Sequence, residues 1–485
     1  MCNRFLPIRE INKETLVSQL TVRLFISNLL TYDSYRLTAK ICMKKFLLLL
    51  SLLALMLVLV SCGTNDISEY QIVIPKNATL TETYAAENLS ELISDNYGIT
   101  VNIVKDNEKE KKNEILIGET NRKASKTDTQ LNKMQYLLFQ TGSKIVIKGD
   151  GIYVGSGCGK LANEHLTSQD GEIVISNLGE EKTVYTYAPS TQCDNVIFMI
   201  GDGMGETHIL LGEDRHKFTF VARQFPNVGL SITRSQSVIN KEASYTDSAA
   251  SGTAMATGFK TLNKYIGVDK DGNKLLNVRE LAHSMGAKTA ILTTDKITGA
   301  TPAAYMCHNI SRESTEELQL EIDALILENK INYCKGSVDN NLTKETKIAL
   351  SNISKDKSKF FIMIEEAYVD KNSHNKDIEN TAYAVSRFND AIEYATQFAL
   401  MHPNTALIVT ADHETGKLAK STIFKGGFGF MSDQHSNKDV PIFAIGPKTE
   451  YFNDKKIENV ELGKFVASFY TEEEFGMNMD ELKAS

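Results

Sequence analysis

Apolar positions along the chain follow two rhythms, and the change between them comes near Asp194. Before it, short apolar runs are separated by polar turns. "YQIVIP", "ITVNIV", "NEILIGET" and the hairpin-like "YLLFQTGSKIVIKGD" read as strands, and "TETYAAENLSELISDNYG" reads as a helix. A glycine-rich turn, "GSGCGK", a short helix and the strand "EIVISN" complete a small α/β unit over residues 68–185. The glycines could cradle a phosphate, but the stretch lacks the Gly-Lys-Ser/Thr ending of a P-loop, so a structural turn is expected. After Asp194, continuous apolar runs alternate with helices: "NVIFMIGDG", "AKTAILTTD", "KFFIMIEEA", "TALIVTADHE" and "VPIFAIGP", with the long amphipathic helix "DIENTAYAVSRFNDAIEYATQFALM" between the third and the fourth. Such runs predict an α/β fold, a mostly parallel sheet sandwiched by helices over residues 190–485, with ligands beyond the carboxyl ends of the strands.

One apolar run belongs to neither rhythm. From Met43, "MKKFLLLLSLLALMLVLVSCGTND" has two lysines, an apolar stretch shorter than the roughly 20 residues of a spanning helix, and a polar tail. That is the layout of a secretory signal, and its ending, Leu59-Val60-Ser61-Cys62, resembles a bacterial lipobox whose cysteine is acylated. The expectation is an upstream extension and signal peptide over 1–61, translation from Met43, a linker over 62–67, and an exported lipoprotein anchored through Cys62. It would sit on the outer side of the cytoplasmic membrane, or in the periplasm or outer membrane.

Composition adds little beyond class. The chain is 42% hydrophobic and 24% charged, as a globular protein with an ample core is, and its 485 residues suit two or three domains. Net charge is −8, and removal of residues 1–61 makes it −13, so nothing supports a nucleic-acid-binding surface. Apart from Cys62 the exported form keeps Cys158, Cys193, Cys307 and Cys334, whose spacing suggests no disulfide framework.

The chemistry gathers where the second set of strands ends. "IGDGMG" supplies Asp202, "IEEAYVDKNSH" supplies Glu365, Asp370 and His374, "TADHE" supplies Asp412 and His413, and "SDQHS" supplies His435. Carboxylates mixed with imidazoles, with no cysteine pair nearby, suit zinc in a catalytic site. Asp370 and His374 are four apart, so one helical turn places them on the same side. Asp412 and His413 are adjacent and converge only if the chain turns, as Glu414-Thr415-Gly416 suggests.

Six motifs, "NVIFMIGDGMG", "YTDSAASGTAMATG", "TGATPAAYMCHNISR", "IEEAYVDKNSH", "TADHE" and "HSNKDVPIFAIGP", occur in an order and character that resembles the alkaline phosphatases over residues 194–450. The resemblance implies a metal-dependent phosphomonoesterase in which Ser248, at the start of a helix, attacks phosphorus in line to give a phosphoserine that zinc-activated water then hydrolyses. A serine hydroxyl is a weak nucleophile and no histidine lies beside it to act as base, so activation by metal is expected. Thr246, Ser251, Thr253 and Thr257 remain cap and packing groups. By the same resemblance Asp370, His374 and His435 hold one zinc, Asp202, Asp412 and His413 a second, and Asp202, Thr301 and Glu365 a magnesium. Arg312 matches the phosphate-binding arginine, and Lys371 a lysine found near the phosphate in bacterial members. Three divalent cations outweigh the four carboxylates, so a phosphate dianion would meet a positive pocket in an acidic protein.

One position departs from the pattern. Gly299, two before Thr301, stands where the family commonly has Asp or His supporting the third metal, so a loose magnesium site is expected. Glu366 could compensate only from the opposite face of its strand. His165, His208, His216, His283 and His402 have no partner spacing and are assigned to surface or packing. The small first unit resembles the α/β domain that precedes the catalytic barrel in some glycoside hydrolases, which leaves a glycan contact open, as it does a homodimer. Two rival functions stand: a phosphodiesterase or other phosphoryl or sulfuryl hydrolase of the same superfamily, and a non-catalytic, glycan-binding surface lipoprotein.

Overall fold

The computed structural model describes residues 66–480 except residue 177, so the leader and Cys62 lie outside the described residues. Two sheets organise the rest. The first contains β1 (Gln71–Ile74), β2 (Ile103–Lys105), β3 (Glu114–Ile117), β4 (Gln135–Thr141), β5 (Lys144–Gly149) and β6 (Thr183–Thr186), in the order β2-β1-β3-β5-β4-β6. β4 and β5 form the expected hairpin, with Leu138 opposite Ile147. Helix α1 (Leu80–Tyr97) begins in a capping box, Thr79 Oγ1 accepting from the Glu82 amide at 3.1 Å while the Glu82 carboxylate accepts from the Thr79 amide at 2.8 Å. Its buried Ala85, Leu89 and Ile93 cover the face of the sheet that carries Ile72, Ile115 and Ile147.

The "GSGCGK" stretch is not a turn. It lies inside helix α2 (Val154–Lys160), and its glycines serve close packing. A Cβ at Gly155 would lie 2.4 Å from Gln397 Oε1, one at Gly157 2.6 Å from Ile147 Cγ2, and one at Gly159 2.7 Å from Met401 Cα. A run of glycines reads as a loop on propensity alone; here tertiary contact on two sides outweighs propensity.

The second sheet comprises β7 (Asn195–Gly201), β8 (Asn227–Ile232), β9 (Lys288–Thr293), β10 (Tyr333–Lys335), β11 (Phe360–Glu366), β12 (Thr405–Thr410), β13 (Val440–Ile445) and β14 (Lys456–Glu458), ordered β10-β9-β11-β7-β12-β13-β8-β14. It is parallel apart from β13, which runs antiparallel to both β12 and β8. Alternate residues of β7 enter opposite cores, Ile197 and Met199 on one side, Val196, Phe198 and Ile200 on the other, which is why its sequence reads as unbroken apolar. The long helix α5 (Ile378–Met401) was expected to be amphipathic, yet residues 391–401 are buried on every side. It packs on the second sheet through Phe388 and Ile392 and reaches the core of the first through Met401. No helix among the described residues is long and apolar enough to cross a membrane, and Cys158, Cys193, Cys307 and Cys334 are unpaired thiols.

Candidate active site

The register of the parallel strands sets up the site. Thr293, Glu365, Ile200 and Thr410 are aligned across β9, β11, β7 and β12. Two residues beyond that row, three of the four chains carry a carboxylate: Asp295, Asp202 and Asp412. Asp412 and His413 have left the strand, and the chain is returned by Glu414–Thr415, which pairs with His435–Ser436, followed by Gly416 at φ +85°. That ladder brings His435 beside Asp412 and His413. Helix α4 (Tyr368–His374) leaves β11 and presents Asp370 and His374 together, His374 Nε2 3.3 Å from Asp370 Oδ1.

Ligand atoms of Asp370, His413 and His435 lie within 4.8 Å of one another, as do those of Asp202, Asp412 and His413. All three histidines turn the same edge inward. His435 Nδ1 donates to the Thr246 carbonyl at 2.8 Å, His374 Nδ1 to the Asp433 carbonyl at 2.6 Å, and His413 Nδ1 meets Thr415 Oγ1 at 3.2 Å. Each Nε2 is therefore directed at the carboxylates, and His374 Nε2 and His435 Nε2 stand 3.0 Å apart. Two neutral rings would oppose lone pairs there, so the contact requires either a proton on one ring or a cation shared by both. Buried Asp202 Oδ1, Asp412 Oδ2 and Thr301 Oγ1 have no hydrogen-bond partner, which fits cation ligands better than structural groups.

Electrostatics agree. Burial, reinforced by Asp412, holds the Asp202 carboxyl well above its ordinary range; burial likewise pushes Asp412 up to about 6 and Glu365 up to about 8. The Asp370 hydrogen bond raises His374 to about 9, whereas burial and the neighbouring His435 keep His413 well below the imidazole range. A buried pocket that raises Asp202, Asp412 and Glu365 in this way, burial first and neighbouring carboxylates second, is electrostatically prepared for divalent cations.

Ser248 is the first residue of helix α3 (Ser248–Thr257), capped by Asp247, whose side chain accepts from the Ala250 amide at 3.0 Å. The small residues of α3 permit close contact with the helix Ala300–Ala304: a Cβ at Gly252 would lie 3.4 Å from Thr301 Cα. Contrary to the expectation that no histidine lies beside it, Ser248 Oγ is 3.2 Å from His413 Nε2. Adjacency here comes from the fold, across 165 residues of chain. The same nitrogen faces Asp202 at 3.5 Å and Asp412 at 3.2 Å, so it belongs to the ligand clusters.

Arg312 reaches the nucleophile helix, its Nη1 3.2 Å from Asp247 Oδ2. Lys371 forms an ion pair with Asp295. Glu366 points away from Glu365, as strand alternation requires, and is gripped by Arg387 at 2.7 and 2.6 Å. Several supporting groups carry no signal in the sequence. Ser251 Oγ donates to the Asp412 carbonyl at 2.6 Å, Thr415 Oγ1 to Asp370, and Thr293 Oγ1 to Glu365. His208, assigned to packing, is buried and bonds Ser373, the residue before His374, at 3.2 Å. Ordinary serines and threonines become recognisable only once the ligands they hold are placed.

Comparison with known proteins covers most of the stretch that carries these residues, up to residue 427. A family model described as alkaline phosphatase matches residues 193–343 and 334–427. Alkaline phosphatase 4 of Bacillus subtilis is 30% identical over 342 residues, covering 57% of this chain and 71% of that protein. Alkaline phosphatase 3 of the same organism is 25% identical over 355 residues, covering 60% of this chain and 74% of that one. Among solved structures, alkaline phosphatase from the Antarctic bacterium TAB5 superposes with a TM-score of 0.53 at 28% identity, covering 57% of this chain and 98% of its own. A mutant of that enzyme has been solved with Mg bound in the M3 site. With 30% identity across 71% of alkaline phosphatase 4 and the family model's match beside it, the chain belongs to the alkaline phosphatase family and is a hydrolase of that superfamily.

Proposed function

We propose that the chain is a metal-dependent phosphomonoesterase that transfers the phosphoryl group to Ser248 and then releases inorganic phosphate. The meeting of Ser248 Oγ with His413 Nε2 at 3.2 Å carries this reading, because that nitrogen also faces Asp202 and Asp412 and His413 belongs to both candidate clusters. In this reading Asp370, His374 and His435 hold one zinc, Asp202, Asp412 and His413 the second, and Asp202, Thr301 and Glu365 a magnesium. Bound there, the cations would favour the serine alkoxide and offset charge on the departing oxygen. Ser248 Oγ loses its proton to solvent and attacks phosphorus, the bond from phosphorus to the ester oxygen breaks, and that oxygen takes up a proton from solvent to leave as the alcohol. Water then displaces Ser248 Oγ from phosphorus, releasing inorganic phosphate and returning the hydroxyl. Arg312, fixed by Asp247, binds two oxygens of the phosphoryl group with its planar fork. The N-terminus of α3 adds its positive end.

The test is a monoester and a diester chromogenic substrate, assayed side by side on the residue 62–485 protein. Hydrolysis of the monoester with phosphate trapped on Ser248 is expected. Preference for the diester would favour the phosphodiesterase reading, and silence towards both the non-catalytic one. We also propose that the enzyme is exported and anchored through acylated Cys62, so that it meets phosphate monoesters outside the cytoplasm. Cys62→Ser should move it out of the membrane fraction, and wild-type chain in the soluble cytoplasmic fraction would end that idea.

A further inference from the structure

Gly299 lacks a side chain, and the space it leaves is filled. A Cβ built at Gly299 would lie 2.8 Å from Asp295 Oδ2 and 3.3 Å from Asp295 Cγ, so the carboxylate from four residues upstream stands where a side chain at 299 would point. Several contacts hold it there. The Asp295 amide donates to Thr293 Oγ1 at 2.9 Å, and that same hydroxyl donates to Glu365. The Asp295 carbonyl accepts from the Ser337 amide at 2.5 Å, and a Cβ at Gly336 would come 2.9 Å from that carbonyl, so the loop is closed by a glycine. Lys371 holds the carboxylate from the other side. Thr293 Oγ1 ties the Asp295 backbone to the Glu365 carboxylate.

Two residues after Gly299 comes Thr301, 1% exposed, whose Oγ1 has no hydrogen-bond partner. An unpaired buried hydroxyl, a buried carboxylate and a second carboxylate fastened by a lysine make a set of oxygen donors that suits a hard divalent cation.

We propose that Asp295 is a positioning residue for the third cation, its carboxylate taking over from the side chain that Gly299 does not have, with Lys371 as the clamp that aims it. Asp295 thereby supports the cation held by Thr301, Glu365 and Asp202, and Lys371 is committed to Asp295 rather than to the phosphate. This replaces the expectation of a loose site with that of a site supported from an unexpected position. It rests on the three-cation reading above only for the location of the third site.

The test uses the zinc-loaded full enzyme and magnesium alone as the probe. Magnesium retained after desalting is measured by elemental analysis, and affinity by the magnesium-dependent rise of the thermal midpoint, neither of which needs substrate. Asp295→Ala should weaken half-saturation by about 10- to 100-fold, the range typical of groups that support metal ligands, while both zincs remain. Gly299→Asp alone should bring no gain, because its Cβ would meet the Asp295 carboxylate; in the Asp295→Ala background it should restore magnesium affinity. That rescue separates positioning from a merely structural role. Unchanged magnesium affinity in Asp295→Ala, or tighter binding in Gly299→Asp alone, would overturn the proposal even if zinc content and phosphoserine formation were as expected. Loss of phosphoserine chemistry with the magnesium pattern intact would instead count against the proposed reaction.

Discussion

Ser248 Oγ and His413 Nε2 lie 3.2 Å apart, yet the histidine faces two carboxylates with the same nitrogen. A general base and a metal ligand make different demands on that atom, and variants tell them apart. Ser248→Ala should abolish covalent phosphate and lower turnover by about a thousandfold or more, with zinc content unchanged. His413→Gln should lower turnover comparably but also release zinc, read by elemental analysis. A His413 variant that kept all its zinc would assign the residue to proton transfer instead.

Asp247 has two duties that can be divided. It caps α3 and it anchors Arg312. Asp247→Ala should lose the cap, about 1 kcal/mol of stability, and should raise KM for monoesters as well. Asp247→Asn keeps a competent cap while removing the charge that orients the guanidinium, so it should raise KM with the thermal midpoint nearly unchanged. Equal midpoints for the alanine and asparagine variants would count against the capping role.

Gly159 packs against backbone rather than a movable side chain, its notional Cβ 2.7 Å from Met401 Cα and 3.1 Å from the Met401 carbonyl. Gly159→Ala should therefore destabilise the protein by about 1–3 kcal/mol, despite alanine's higher helix propensity. A neutral or stabilising result in denaturant unfolding would show that α2 and α5 are free to separate.

Glu393 sits in the buried part of α5, where burial pushes its carboxyl from 4.5 up to about 7. The folded state then binds the proton more tightly than the unfolded chain. Its contribution is fully present below pH 4.5 and is lost as pH rises through about 7. Relative to wild type, Glu393→Gln should gain about 2–3 kcal/mol of unfolding free energy between pH 5 and pH 8. A mutant-minus-wild-type difference flat across that range would show that Glu393 ionises in the fold as it does in water.

The chain by itself determined the class of fold and most of the candidate ligand cluster, because unbroken apolar runs ending in Asp, Glu and His are buried as parallel strands with those residues at the rim. Asp202, Asp412 and Glu365 were legible for that reason, and Asp370 with His374 because helix spacing needs no partner. What tertiary structure decided depends on contacts distant in sequence. The glycines of "GSGCGK" are helical because Ile147, Gln397 and Met401 crowd them, and no local pattern encodes those neighbours. Ser248 gained a histidine from just beyond the end of β12, 165 residues along the chain. Asp295 shows the same principle most clearly: nothing distinguishes it from a loop aspartate until the fold sets its carboxylate in the space above Gly299 and brings Lys371 to hold it there. Periodicity records which face of an element is buried, whereas the identity of the group that meets that face is settled only when the elements pack.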